Sequence, residues 1–307
     1  LDQRAMLRRS PIASALLIPP LLCAASCGSS APQHAQSGCL PPEVLYDVAR
    51  GETAPLGQLP TDVTPTRYGI SLSVNPSEER FSGTVRIDVR LRELRSVLWL
   101  HGADLHVTDA RVETDGVFVP AQWEQVNDEG VVALRLPRPI GPGRATLVFT
   151  YDAPFAENLE GLYRVEAGGD AYAFTQMEAI AARRAFPCFD EPRFKTPFEV
   201  ALRVPREHEA VGNTSVTSTL EHEDSTKTVR FAASLPIPTY LVAWAIGPLD
   251  IVDAGTIPPN AVRDRPLPLR GIAARGKGPE LRYALEQTPA HVGWLEEYFG
   301  MEYPYDK

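Results

Sequence analysis

Lysine is nearly missing from the sequence: it stands only at positions 195, 227, 277 and 307, and arginine supplies the rest of the positive charge. A bias of that kind reflects a GC-rich coding sequence more readily than a binding surface. The positive charge is also outweighed, the formal net charge being -9. A polyanion would be repelled, so nucleic acid is excluded as a partner. Cysteine is equally sparse: Cys23, Cys27, Cys39 and Cys188 are too few and too unevenly placed for a disulfide framework. Cys188 lies in the run Phe186-Pro187-Cys188-Phe189 with no acid–base partner nearby. It reads as a small buried hydrophobe and not as a nucleophile. Among the six histidines no two are four residues apart, the spacing that a helical metal pair requires. His208-Glu209 and His222-Glu223 begin such a pair without completing it, both in strand or loop surroundings. Long apolar runs are missing as well. The strongest candidate, residues 12–25, is too short and too broken by Pro19 and Pro20 to span a membrane comfortably.

What that run does fit is a targeting segment. Arg4, Arg8 and Arg9 precede it, giving the charged-then-apolar order of a secretory signal over residues 1–27. Ala24-Ala25-Ser26-Cys27 resembles a bacterial lipobox with alanine where leucine is usual. Two expectations therefore stand: acylation at Cys27, with membrane attachment through the lipid, or ordinary signal cleavage. Either makes the protein exported, in a bacterial periplasm or anchored to a membrane. The chain opens on Leu1, so translation is expected to start at an alternative codon or at Met6. Residues 28–58, rich in Ser, Ala, Gln, Gly and Pro, form a flexible linker.

From residue 59 the texture becomes that of strands. Tyr68, Ile70, Leu72 and Val74 alternate with polar residues, and so do Val85, Ile87, Val89 and Leu91. Such alternation means a sheet with one buried face and one wet face. Further strands are expected at 97–100, 105–113, 131–136, 145–151, 172–178, 198–204, 228–232 and 240–252. Turns such as Asn75-Pro76, Asp115-Gly116 and Gly168-Gly169-Asp170 separate many of them. With 29 prolines spread along the chain and no long helix before residue 255, residues 59–254 are a mainly β, sandwich-like domain. After Gly255 come clustered prolines, a strand near 267–273 and one convincing helix over about 279–299. Its apolar members Tyr283, Leu285, Val292, Leu295 and Phe299 suggest a packing helix, broken or kinked at Thr288-Pro289 and ended by Gly300.

One stretch mixes apolar, acidic and basic residues more densely than any simple strand or loop: 174–178, followed by 182–192. Gln176 and Glu178 lie two apart on an extended backbone and so line one wall, with Met177 facing the other way. Phe174 and Met177 read as core. Arg183, Arg184, Asp190 and Glu191 form a structural set, able to fix a loop through bidentate pairs. Two readings of Glu178 stay open on the residues alone. It is a carboxylate facing a cavity, or it lies on a solvated strand face, paired to Arg183 or Arg184.

Gln176-Met177-Glu178, then 182–192 (Ala-Arg-Arg-Ala-Phe-Pro-Cys-Phe-Asp-Glu-Pro), then Phe194-Lys195 resembles the aminopeptidase N family of zinc metallopeptidases, a group that includes leukotriene hydrolase. The pattern extends over most of the chain, from residue 59 to 307. The resemblance implies a saddle-shaped, β-sandwich-like N-terminal domain over 59–254. It also implies that residues 255–307 begin a thermolysin-like α/β domain with its first strand and helix. Glu178 matches the family glutamate that holds the free α-ammonium of a peptide, and Gln176 matches the residue lining the first side-chain pocket. The family's zinc is held by an H-E-x-x-H helix and a distant glutamate, all missing from these residues. The substrate loop Gly-x-Met-x-Asn is missing too, so these 307 residues should be inactive alone and contain no metal ligand. Two functions follow as expectations. The first is the N-terminal part of an exported zinc aminopeptidase acting on peptides through their N-terminal amine; the second is a non-catalytic β module, lipid-anchored or not, that binds peptides or a partner.

Overall fold

The computed structural model describes residues 52–307. The expected signal segment, Cys27 and most of the expected linker lie outside the described residues. Among these residues seventeen strands and one α-helix follow in order. Eight strands make the largest sheet: β1 (Val63–Ser73), β2 (Arg80–Leu91), β4 (His106–Thr114), β5 (Val117–Pro120), β8 (Gly143–Pro154), β11 (Phe198–Pro205), β13 (Val216–Glu221) and β14 (Thr226–Phe231), ordered β13-β14-β11-β1-β2-β8-β4-β5. A three-stranded sheet is ordered β3-β7-β6, from β3 (Arg95–His101), β7 (Val131–Ile140) and β6 (Gln122–Gln125). The third sheet contains β9 (Gly161–Ala167), β10 (Asp170–Gln176), β12 (Glu209–Gly212) and β15 (Trp244–Gly247), ordered β12-β15-β10-β9. The hairpin of β16 (Leu249–Ile257) with β17 (Leu267–Ala274) then leads to the helix α1 (Arg282–Phe299). The mainly β expectation is what the chain adopts.

The alternation seen in sequence sets the orientation of β1 and β2. Tyr68, Ile70, Leu72, Val85, Ile87, Val89 and Leu91 are all buried on one face. In β3 and β7 the runs at 97–101 and 131–136 are buried throughout, as strands covered on both faces should be. β1 and β11 pair in parallel, Tyr68 opposite Phe198, and their rings stack at 4.6 Å. Two tyrosine hydroxyls carry this core to the Arg183–Asp190 segment. Tyr68 accepts the Phe189 amide at 2.9 Å, and Tyr151 donates to the Ala185 carbonyl at 2.7 Å.

Several expected elements take different shapes. The strand expected to reach Glu178 ends at Gln176, and Glu178 lies in the turn that follows. The single strand expected over 240–252 is a turn followed by β15 and β16, divided at Gly247-Pro248. Proline cannot donate to a ladder, so the division falls where a proline stands. Phe174 is only half-buried, lying between the rings of Tyr163 and Tyr172. β5, β6, β9, β12 and β13 carry no clear alternation in sequence; every residue of β13 is exposed. Position 254/255 falls inside β16, so one hairpin straddles it.

The helix is the largest departure. It runs unbroken through Pro289, where Thr288 donates its hydroxyl to the Ala284 carbonyl at 2.7 Å. It is not the packed helix that its apolar stripe suggests: Tyr283, Trp294, Leu295, Tyr298 and Phe299 are all exposed. Its inner contacts are few. Leu281 and Leu285 approach Gly271 of β17, where an added Cβ would lie 2.7 Å from Leu281. At its far end, buried Glu296 pairs with the fully buried Arg263 at 2.8 Å. Asn260 and the Tyr303 amide complete that carboxylate's bonds. No helix among the described residues is long and apolar enough to cross a membrane.

Candidate functional site

A cleft of about 840 Å³ opens where the end of β10, the Arg183–Asp190 segment and the loop before β7 meet. Glu178 lines it together with Glu160, Asp128 and Glu129, and His101, Arg183 and Asp190 also line it. Burial follows the alternation expected of the segment: Gln176 exposed, Met177 buried, Glu178 exposed. Gln176 accepts the Glu178 amide through Oε1 at 3.4 Å, but it is not among the residues lining the cleft. Of the two only Glu178 lines the cavity, the chain turning directly after β10.

The adjacent arginines go to separate partners. Arg183 is buried and spends its whole guanidinium internally, with Nε on the Asp190 carboxylate at 3.0 Å, Nη1 on the Glu129 carbonyl at 2.6 Å and Nη2 on the Asp190 carbonyl at 3.3 Å. Asp190 also receives the Thr239 hydroxyl at 2.6 Å. A buried pair with its remaining bonds satisfied in this way fixes a loop. Arg184 is exposed and pairs with Asp104 at 2.7 Å. Glu191 takes Arg193 at 2.6 Å and also the Leu59 amide. Neither Arg183 nor Arg184 binds Glu178. Its carboxylate has no hydrogen-bond or ion-pair partner among the described residues, and it lines the cleft.

His101, at the end of β3, also lines the cleft. Its backbone exchanges hydrogen bonds with Cys188 at 2.7 and 2.9 Å. Its ring accepts the Asp190 amide on Nδ1 at 3.1 Å. Burial, and then the neighbouring Arg183 guanidinium, push the His101 imidazole down to about 3, so it is neutral across the working range. Cys188 is fully buried, and burial drives its thiol well above the usual range. It is packing material, as the sequence suggests. His208 is also buried, and burial lowers its ring from the ordinary value.

Sequence reasoning passed over His101, Glu160, Asp128 and Glu129. For Glu160 a signal was present: the Gly168-Gly169-Asp170 turn makes β9 and β10 a hairpin in which Gly161 faces Gln176. Glu160 is therefore carried to the same end as Glu178. His101 carried no comparable mark.

Among the described residues no three His, Cys, Asp or Glu side chains gather into a set able to hold a metal. His101 is moreover committed through Nδ1 to a backbone amide. These residues do not fit a zinc ion.

A β scaffold carrying a turn-borne glutamate beside a locked Arg–Asp loop marks a class, and residues 64–241 match the Peptidase M1 N-terminal domain. The chain belongs to the M1 peptidase family, in its N-terminal region. Among its relatives, the puromycin-sensitive aminopeptidase of Caenorhabditis elegans is 30% identical over 283 residues, covering 90% of this chain and 28% of the relative. Aminopeptidase N of Acetobacter pasteurianus is 31% identical over 256 residues, covering 81% of this chain and 68% of the relative. Aminopeptidase M1-A of Oryza sativa subsp. japonica is 31% identical over 259 residues, 81% of this chain and 29% of the relative. The chain thus spans well under a third of the nematode and rice proteins.

Proposed function

We propose that this chain is the N-terminal, substrate-gripping part of an aminopeptidase, and that Glu178 holds the α-ammonium of a peptide. The observation that carries this reading is the Glu178 carboxylate: exposed, without a partner among the described residues, and facing a cleft. A carboxylate so placed rewards a cation, and a free N-terminus is the cation that every peptide offers. Such a charge-assisted bond is worth roughly 1.5–3 kcal/mol. Gln176, two residues earlier and outside the cleft lining, is assigned to the first side chain on the family resemblance alone, and Arg183, Asp190 and Glu191 hold the wall behind. The zinc of the peptide-cleaving centre and its ligands belong outside the described residues. Residues 1–27 are read as a secretory signal, with Cys27 the site of lipid attachment, and residues 28–58 as a linker.

The test is hydrolysis of leucine p-nitroanilide by the gene product carrying this sequence. Activity should be lost with a chelator and restored by zinc. Glu178→Gln should lower kcat/KM by about 10- to 150-fold, the range that the lost bond corresponds to, while Glu223→Gln, at an exposed site, leaves it unchanged. Equal activity of the two variants would refute the amine anchor. The mass of the mature N-terminus decides the lipid: an acylated Cys27 supports it, an unmodified N-terminus at another residue removes it.

A further inference from the structure

The solvent face of the large sheet carries two arginines that no acid of the described chain answers. β2 and β8 pair with Arg90 directly opposite Arg144. Val89 and Leu91 on one strand and Ala145 on the other are buried, so both arginines stand on the opposite side, where both are exposed. Directly opposite residues hold their Cβ atoms about 4.5–5.5 Å apart, and like charges so placed repel. Neither guanidinium has a hydrogen-bond or ion-pair partner among the described residues.

The neighbouring arginines of the same face are compensated. Arg67 is paired with Glu199, and Arg86 with Glu113 at 2.9 Å. Arg90 and Arg144 line a hollow of about 590 Å³ that shares no residue with the Glu178 cleft. Three carboxylates line it too. Glu113 is the one taken by Arg86, and Asp88 receives the Thr146 hydroxyl at 2.7 Å. Asp115, on the turn after β4, forms an ion pair with neither arginine. Two adjacent positive charges therefore face one hollow without a counter-ion from the chain. Both are permanently protonated and both present a planar fork of N–H donors. Such a pair matches an anion of charge -2 with oxygens on more than one edge, which is the form of a phosphate. The overall charge of -9 works against a polyanion, so the ligand that fits is small.

We infer that Arg90 and Arg144 form a site for a phosphate dianion, free or as the terminal group of a small monoester, each guanidinium donating to its own edge of the anion. The bound anion would also relieve the like-charge contact between β2 and β8. The site is independent of the amine reading of Glu178.

Calorimetric titration of the full chain at pH 8 and constant ionic strength, with inorganic phosphate and with glycerol phosphate, tests it. Inorganic phosphate should bind, and Arg90→Gln and Arg144→Gln should each weaken it about tenfold or more, the loss of one charge-assisted contact. Arg230→Gln, at an exposed position of the same sheet outside this hollow, should leave it unchanged. Glycerol phosphate binding with the same dependence on both arginines extends the site to monoesters; binding of inorganic phosphate alone confines it to the free ion. A second measurement needs no variant for its result. The ¹⁵N resonances of Arg90 and Arg144 Nε should move together on addition of phosphate and stay in place with chloride of equal ionic strength. Equal phosphate affinity of the wild type and the two variants, no measurable phosphate binding, or resonance shifts that chloride reproduces would overturn the site. Glu178→Gln should bind phosphate as the wild type does, so this site and the amine anchor fail separately.

Discussion

Lowering the pH should destabilise this fold well before its carboxylates titrate, and His101 is a principal cause. Its imidazole sits at about 3 in the native protein, against an ordinary 6.5, because it is buried beside Arg183. Between those two values the unfolded chain takes up a proton that the native state refuses. Stability therefore rises with pH across that window and is lost as pH falls from 6.5 toward 3. Working through the two values, His101 alone costs about 2 kcal/mol between pH 8 and pH 5, and on the order of 5 kcal/mol once the window is crossed. His208, lowered by its own burial, adds in the same direction. The assay is urea unfolding at pH 5, 6, 7 and 8 for the wild type and for His101→Asn. Asn keeps an acceptor for the Asp190 amide in its Oδ1, but the variant is expected to be less stable at every pH, since the buried ring leaves a cavity. Its stability should nevertheless fall by about 2 kcal/mol less between pH 8 and 5. Equal pH slopes for the two proteins would refute the reasoning, whatever their absolute stabilities.

Three further outcomes follow from packing. Glu296→Leu strands the fully buried Arg263 guanidinium and should cost about 3–5 kcal/mol in unfolding free energy, with part of the loss recovered in the double variant Arg263→Met/Glu296→Leu. Gly130→Ala should cost about 1–3 kcal/mol, because Gly130 has φ +79° and a Cβ there would meet the Ala103 Cβ at 2.9 Å and the Arg183 side chain at 3.1 Å; thermal melting checks it. Cys188 should resist iodoacetamide in the native protein and react once the chain is denatured, since its thiol is fully buried and held protonated; peptide mass mapping reads this directly.

The parts of the fold that were legible were those in which burial repeats with the period of the backbone. β1, β2 and β8 announce themselves because one face of each meets the core, whereas the 176–178 alternation matches the burial of these residues but places Gln176 in a lining it does not join. β13 was illegible for the converse reason: with every side chain in solvent, nothing constrains its pattern. The helix misleads differently. Its stripe is apolar, but an apolar stripe states only that a surface is available, not that something covers it, and in this structure most of it is exposed. At the site, the Arg183–Asp190 pair spans seven residues and could be anticipated from composition. Arg184 finds Asp104 eighty residues away, and the Asp190 amide finds His101 at a separation of 89. Pairings at that range are set by how the sheets stack, which no local pattern records. Glu160 was recoverable only through hairpin register.

Isothermal titration with leucine amide, comparing the wild-type chain with Glu178→Gln, addresses the amine anchor most directly, with N-acetylated leucine amide as the control that lacks a charged amine. An affinity about 10- to 150-fold weaker in the variant, and no binding of the acetylated compound to either protein, is the predicted result. Equal affinity of wild type and variant for leucine amide would contradict it.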